Sequence, residues 1–156
     1  MATGGVLGNG TKVGYSSSSP VTYTRITQVL EVTFPTMAPD KVDKTTHGSS
    51  KYKKNFPGMI EVGDLVVRVL ADHDQATTTD HRALWDLRDN QTEVWWGIEI
   101  PANRAQSRWK LFEFYGYVGD ITNGTPIDDK QTIEFTIVHS GEGIGSPNAS
   151  GSSVIT

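Results

Sequence analysis

Apolar residues recur at every second position in several short stretches of this 156-residue chain, a period that predicts β-strands. Residues 93–100 alternate most regularly: their even positions are apolar, whereas their odd positions include Trp95 and Glu99. This strand is therefore expected to have a core side and a wetter side. Trp95, on the wetter side, would need cover from a loop, a helix or a neighbouring subunit.

Five further stretches have the β-branched and aromatic content that is typical of strands: residues 12–15, 21–34, 65–71, 108–118 and 131–139. In the second stretch, one parity predicts a buried face formed by Ile26, Leu30, Val32 and Phe34. Pro35 is expected to end that strand, because proline has no N–H to donate to a sheet. Residues 119–130 are expected to loop back to the last strand, whose inward side chains should be Ile133, Phe135 and Ile137.

Only residues 79–90 have a helical pattern. Ala83, Leu84 and Leu87 fall on one face, and Thr79 or Asp80 can cap the first turn. One short helix among five or six strands, without regular alternation of strands and helices, predicts a mainly β protein. The expected fold is an antiparallel β-sandwich or barrel with one flanking α-helix.

A long polar stretch follows the strand at 21–34. Residues 37–56 have almost no apolar periodicity and contain five lysines, three of them within four positions. A polar connection of this length inside a compact domain is either a working loop or a disordered insertion. We interpret it as a long arm that reaches for a partner, and a disordered surface insertion is the alternative. The segment Phe56-Pro57-Gly58-Met59 is expected to place two apolar side chains around a turn.

Charge and composition narrow the classes of function. The formal net charge is −4, whereas proteins that grip nucleic acid through its phosphates normally have a basic excess, so tight DNA or RNA binding is not expected. The absence of cysteine excludes disulfides, thiolate metal sites and cysteine nucleophiles. We also expect no signal peptide and no membrane insertion, because no stretch is apolar over the roughly 20 residues that span a bilayer.

Catalytic and metal-binding signals are weak, and no cofactor or metal is expected. The one cluster with metal-ligand residue types comprises Asp72, His73, Asp74, Asp80 and His81. Neighbouring residues on a strand point to opposite faces, so a solvated approach to the helix is the better interpretation. The acidic pair Asp128-Asp129 is more typical of a turn than of an acid–base site. No Ser-His-Asp spacing indicates an enzyme.

Several short motifs occur in a characteristic order. They are the opening strand at 23–34 closed by Pro35, the segment Asp43-Lys44-Thr45-Thr46, the run at 56–64, the short helix, the Trp-bearing strand ending in Ile100-Pro101, the strand at 114–118, and the turn at 126–130. The run at 56–64 is similar to a turn motif of the form PG-hydrophobic-x-D/E-x-GD, where x is any residue, that occurs in one protein family. In this order, residues 20–141 resemble the major tail tube protein of long-tailed, non-contractile bacteriophages, the lambda-like tail tube family.

The resemblance implies a non-enzymatic structural virion protein. Six subunits would close a ring, and rings would stack into a hollow tube through which DNA passes without specific binding. Further expected partners are tape measure, tail tip and tail terminator proteins. The subunit would be made and assembled in the cytoplasm of the bacterial host and end up in the phage tail. A ring would carry six times the charge of −4, and such an acidic wall repels DNA phosphates.

The resemblance also implies a domain plan and an interface. Residues 1–20 would be an N-terminal arm, 21–141 the tail tube domain, and 142–156 a flexible C-terminal arm without a core-forming run. Residues 37–56 would order on assembly and join one ring to the next. The expected ring-stacking residues are Asp43, Lys44, Thr45, Lys51, Lys53, Lys54, Phe56, Pro57, Gly58 and Asp64, and the possible subunit contacts are Trp95, Asp128 and Asp129.

Two other functions stay open at this point. The tryptophans Trp85, Trp95, Trp96 and Trp109 could stack on sugar rings, which would indicate a carbohydrate-binding β-sandwich module. A small β-core or a subunit contact needs the same aromatic area, and we favour that interpretation. The second alternative is a tube protein from a contractile tail or a secretion system, which would have the same architecture as a non-contractile tail tube protein.

Overall fold

The computed structural model describes residues 10–17, 23–46, 48, 53–71, 79–140, 148–150 and 153–155. Over these residues the chain forms ten strands and one helix. The elements are β1 (Lys12–Ser16), β2 (Thr24–Arg25), β3 (Val29–Thr33), β4 (Met37–Asp43), β5 (Asn55–Val62), β6 (Leu65–Leu70), α1 (Thr79–Asp89), β7 (Val94–Pro101), β8 (Trp109–Gly124), β9 (Thr132–His139) and β10 (Asn148–Ser150).

The strands of the described residues pair antiparallel in two sheets. The larger sheet has the order β2-β1-β7-β8-β9-β6-β3, with β10 also paired to β8. β4 and β5 form a separate two-stranded sheet. The helix α1 packs on β8 and buries Leu84, as its apolar face predicted. The expectation of a mainly antiparallel β fold with one flanking helix is therefore confirmed.

The larger sheet must curl on itself. β2 and β3 lie at its opposite ends, which in a flat sheet would be about 29 Å apart, since neighbouring strands are spaced by about 4.8 Å. The three residues between Arg25 and Val29 reach about 15 Å at most. Ile26 N donates to Val13 O (2.8 Å), and Leu70 N donates to Gln28 O (2.9 Å), so this short connection is tied to strands on both sides of the seam.

The core lies inside this curl. It comprises Val13, Ile26, Leu65, Val67, Val69, Leu84, Val94, Trp96, Ile98, Phe114, Val118, Ile133, Phe135 and Ile137. The prediction that Ile133, Phe135 and Ile137 point inward is confirmed. Trp96 Nε1 donates to Gly116 O (3.1 Å), where the absence of a side chain lets β9 approach closely, because a Cβ would collide with Val138 O.

The stretch predicted as one strand at 21–34 is broken in two. Gln28 lies between β2 and β3 and has a φ of 59°, a left-handed conformation that interrupts the strand. The register then shifts beside Leu30, whose side chain is 50 % exposed instead of buried as predicted. Ile26 is buried, and Val32 and Phe34 are partly buried against the core. The prediction for Leu30 was wrong because it assumed that side chains alternate between the two faces without a break along residues 21–34.

The second face of β7 is not the wetter side that its alternation predicted. Glu99 is fully buried, Gly97 is buried, and a Cβ on Gly97 would lie 2.8 Å from the Tyr23 ring. Trp95 is half-buried and its ring centroid lies 5.3 Å from that of Tyr115. Both faces of this strand are therefore covered within the chain.

The C-terminal segment supplies part of that cover. β10 pairs with the beginning of β8, and Ile155 is fully buried in a cluster with Tyr23 and Leu111. The segment was predicted to be a flexible arm without a core-forming run, yet its Ile155 is part of this buried cluster. β8 also continues to Gly124, where a loop was predicted from residue 119, and its register shifts between Val118 and Ile121.

Candidate assembly interface

The β4–β5 hairpin is the outward continuation of the β3–β6 pair. Thr33 pairs with Val66, Gly63 N donates to Thr36 O (2.8 Å), and Met37 then pairs with Val62. β3 and β6 belong to the large sheet, whereas, among the described strands, β4 and β5 pair only with each other. Seven residues of β4 extend the ribbon by about 23 Å beyond the sheet.

The long arm predicted over residues 37–56 is formed in large part by this hairpin. Residues 37–43 and 55–56 are in strands, and only the part between them connects the two. Pro57 and Gly58 lie within β5 and not in a turn, and the register shifts beside them, between Pro39 and Lys41. Gly58 faces Asp40 and Val42 closely, since a Cβ would lie 3.0 Å from a Val42 methyl carbon.

Apolar side chains are exposed on both faces of the hairpin. Paired residues of an antiparallel ladder share a face, so Pro39 and Ile60 lie on one face and Val42 and Phe56 on the other. The exposed fractions are 53 % for Met37, 39 % for Val42, 44 % for Phe56, 84 % for Met59 and 65 % for Ile60. A two-stranded hairpin is marginally stable alone, and such an exposed apolar surface indicates an interaction site.

A polar network closes the far end of the hairpin. Thr45 N donates to Asp43 Oδ1 (2.8 Å), Lys54 N donates to Thr45 Oγ1 (3.1 Å), and Lys44 N donates to Lys54 O (3.0 Å). Hydrogen bonds from the Thr45 hydroxyl and backbone N–H, helped by Lys53 at 3.4 Å, hold the pKa of Asp43 below its ordinary value. The network fixes the end of the ribbon without a buried core.

The lysines predicted to serve ring stacking gather at this end. Lys53 and Lys54 are exposed, and Lys44 Nζ lies 6.0 Å from the centroid of the Phe56 ring. Lys51 lies outside the described residues. The hairpin thus brings together the predicted Asp43, Lys44, Thr45, Lys53, Lys54 and Phe56, with Pro57 and Gly58 further along β5.

The remaining predicted residues lie elsewhere. Asp64 is exposed at the base of the hairpin, just before β6. Asp128 and Asp129 are exposed in the turn between β8 and β9, where Asp129 Oδ1 accepts a hydrogen bond from Lys130 N (2.7 Å), as in the turn interpretation. Trp95 lies on β7. Their role as subunit contacts stays a prediction.

The predicted interface set omitted four of the five exposed large apolar residues of the hairpin, namely Met37, Val42, Met59 and Ile60. Their signal was present in the sequence as apolar residues beside the lysine-rich stretch, but it lacked the alternation that marks a buried face. Ile127, which is fully exposed in the β8–β9 turn, lies within the motif at 126–130 and was not predicted as a contact.

The other candidate chemistries find little support. Asp72, His73 and Asp74 lie outside the described residues, and His81 is buried with Nε2 2.9 Å from Thr27 O. Among the described residues, no group of histidines and acids could hold a metal ion. Trp96 and Trp109 are buried, and Trp85 is half-buried with Arg88 4.7 Å from its ring centroid, so neither an open sugar platform nor a metal site is indicated.

In the described part of the chain, α1 falls short of the length and apolarity required to cross a bilayer.

Comparison with known proteins identifies the fold. No family model and no curated protein sequence matches the chain. Among solved structures, the sixfold-symmetric tail of an empty gene transfer agent particle aligns with a TM-score of 0.64 at 10 % identity, over 86 % of this chain and 95 % of that chain. The SPP1 tail tube gives 0.64 at 9 % identity over 85 % and 74 %, and the baseplate of the anti-feeding prophage gives 0.63 at 11 % over 90 % and 95 %. The chain therefore has the fold of phage tail tube proteins, as the resemblance predicted.

Proposed function

We propose that this chain is a structural subunit of a phage tail tube. Six copies form a ring, rings stack into a hollow tube, and DNA passes through the lumen. The observation that carries this proposal is the β4–β5 hairpin, which extends beyond the sheet with five large apolar side chains exposed. The likeness of the fold to a sixfold-symmetric tail supports the ring geometry.

The hairpin has the composition of an interface rather than of a catalytic site. Apolar side chains occupy its middle, whereas Lys44, Lys53 and Lys54 lie at its end, so an apolar centre with a charged periphery would contact the next subunit. Charged pairs at such a periphery set orientation and register more than affinity. No substrate or cofactor is required by this role.

The charge of the chain suits a conduit. At −4 per subunit, a ring presents an acidic wall that repels DNA phosphates. Low affinity lets DNA slide, whereas a basic lumen would hold it through its phosphates. In the assembled tail, which is its proposed location, the subunit would also contact tape measure, tail tip and tail terminator proteins.

Negative-stain electron microscopy of the concentrated protein, with its mass from light scattering, tests the proposal. We expect hollow tubes or six-membered rings of uniform width. Met59→Asp with Ile60→Asp should abolish them and leave the circular dichroism of the monomer unchanged. Ile127→Asp is the matched control, because Ile127 is fully exposed outside the hairpin. Monomers at every concentration, or normal tubes from the hairpin variant, would contradict the proposal.

A further inference from the structure

A half-open groove runs along the seam where the curled sheet meets itself. Its volume is about 550 Å³, and its lining includes Gly10, Thr11, Leu30, Val32, Phe34 and Ile100. Leu30 is 50 % exposed in it. β3 ends the sheet order and pairs only with β6 among the described strands, so its other edge is open to this groove.

We propose that this groove receives the β4–β5 hairpin of a second copy of the chain, with Met59 seated against Leu30. The inference rests on the proposed function and names the receiving surface of the subunit contact. The chain carries an exposed apolar ribbon and an exposed apolar groove, and one contact would remove both from water. Methionine suits an irregular groove, because its unbranched side chain adapts to the available shape.

Charge favours this pairing over contact between two hairpins. Residues 37–62 contain five lysines and three acids, a net charge of +2, so the rest of the chain carries −6. Glu31 lines the groove and shares Arg68 with Glu134, at 3.3 and 3.2 Å, which leaves these three residues with a net negative charge. The hairpin is therefore attracted to the body of another copy and repelled by another hairpin.

The fold separates each hairpin from the groove of its own chain. Met59 and Ile60 are 84 % and 65 % exposed, and no described residue of the hairpin is among those that line the groove. Contact with a second copy joins two different surfaces, head to tail. Such a contact repeats until it closes a ring or extends a filament, which is the property that a tube requires.

Disulfide cross-linking tests the contact directly, because the chain has no cysteine of its own. Leu30→Cys and Met59→Cys proteins are mixed, allowed to assemble, oxidised and examined by mass spectrometry. Both positions are exposed, so each variant should fold. We expect the mixed disulfide to form at least about tenfold faster than in a control mixture of Ile127→Cys and Met59→Cys, because cysteines in contact react at a high effective concentration.

Microscopy of the same samples separates the two proposals. Tubes with the mixed disulfide support both. Tubes in which the Leu30–Met59 disulfide forms no faster than the control overturn the groove and leave the tube function intact. Tubes in which Met59→Cys pairs mainly with itself overturn the groove in favour of hairpin-to-hairpin contact. Absence of rings and tubes under all conditions contradicts the proposed function, and the groove contact with it.

Discussion

Glu99 is a fully buried carboxylate whose partners come from the far end of the sequence. It accepts hydrogen bonds from Val154 N and Ser153 Oγ, both at 2.6 Å, and from Ile155 N at 3.3 Å. Lys12 Nζ in turn donates to Ser153 Oγ at 2.9 Å. Burial of an ionised group is unfavourable unless it is hydrogen-bonded, so this residue and the C-terminal segment depend on each other.

Replacing Glu99 with glutamine tests this dependence. The shape is nearly conserved, but the charge is lost and an amide NH2 now faces backbone N–H donors. We expect the free energy of unfolding to fall by about 1.5–3 kcal/mol, the range for hydrogen bonds to charged groups. Urea unfolding measures it. Glu61→Gln, an exposed position on the hairpin, should change stability by less than about 0.5 kcal/mol. Equal effects of the two substitutions would contradict the assigned role of Glu99.

At the scale of elements, the hairpin depends on a few polar contacts instead of a core. Because the pKa of Asp43 is lowered by the Thr45 hydrogen bonds and by Lys53, its ionised form stabilises the folded hairpin end. That contribution is present above the ordinary pKa of 3.8 and is lost as the pH falls through the lower pKa of the folded state. Acid should therefore loosen the end of the hairpin.

The Thr45 amide proton in NMR spectra reports this change. We expect its resonance to shift, and its protection against exchange relative to an unstructured peptide at the same pH to decrease, as the pH falls below 3.8. Asp43→Ala should show the acid-like resonance and the lower protection already at neutral pH. Asp40→Ala is the control, because Asp40 is also exposed on β4. A Thr45 amide that is insensitive to both pH and the Asp43 substitution would show that the carboxylate does not hold this end.

Sequence patterns predicted the elements whose two faces differ in burial. β9 alternates between core and surface, so its inward residues could be predicted from parity. The strands of the hairpin could not be predicted in this way, because nearly all of their residues are exposed and neither face is consistently apolar or polar. Pro57 and Gly58 also indicated a turn, although a strand that pairs on one side only tolerates both.

Contacts between segments that are distant in the sequence could not be predicted from local patterns. The partners of Glu99 lie 54 to 56 positions away, and a polar C-terminal segment gives no periodic sign that one isoleucine will be buried. The left-handed conformation at Gln28 likewise broke a strand that its composition predicted to be continuous. The order of short motifs indicated the fold correctly, because it reflects the whole arrangement and not a single element.

At the scale of the whole molecule, the hairpin and the body have opposite charges, +2 and −6. Copies should therefore attract each other through this difference, and salt should weaken the attraction. Exposed charges are screened beyond about 10 Å at 0.1 M salt. We expect the protein concentration needed for assembly to rise between low and high salt, with the folded monomer unaffected.

Neutralising the lysines at the end of the hairpin tests where this attraction originates. Lys51→Gln, Lys53→Gln and Lys54→Gln together should prevent rings from stacking, because the hairpin region then carries −1 and no longer attracts an acidic body. The control is Arg104→Gln, Lys110→Gln and Lys130→Gln, which removes the same charge from exposed positions outside the hairpin. Sedimentation at several salt concentrations, with microscopy of the pellets, gives the result. Normal tubes from the hairpin variant would show that these lysines are not needed for stacking, whereas an equal loss in the control would show that net charge and not the hairpin governs stacking.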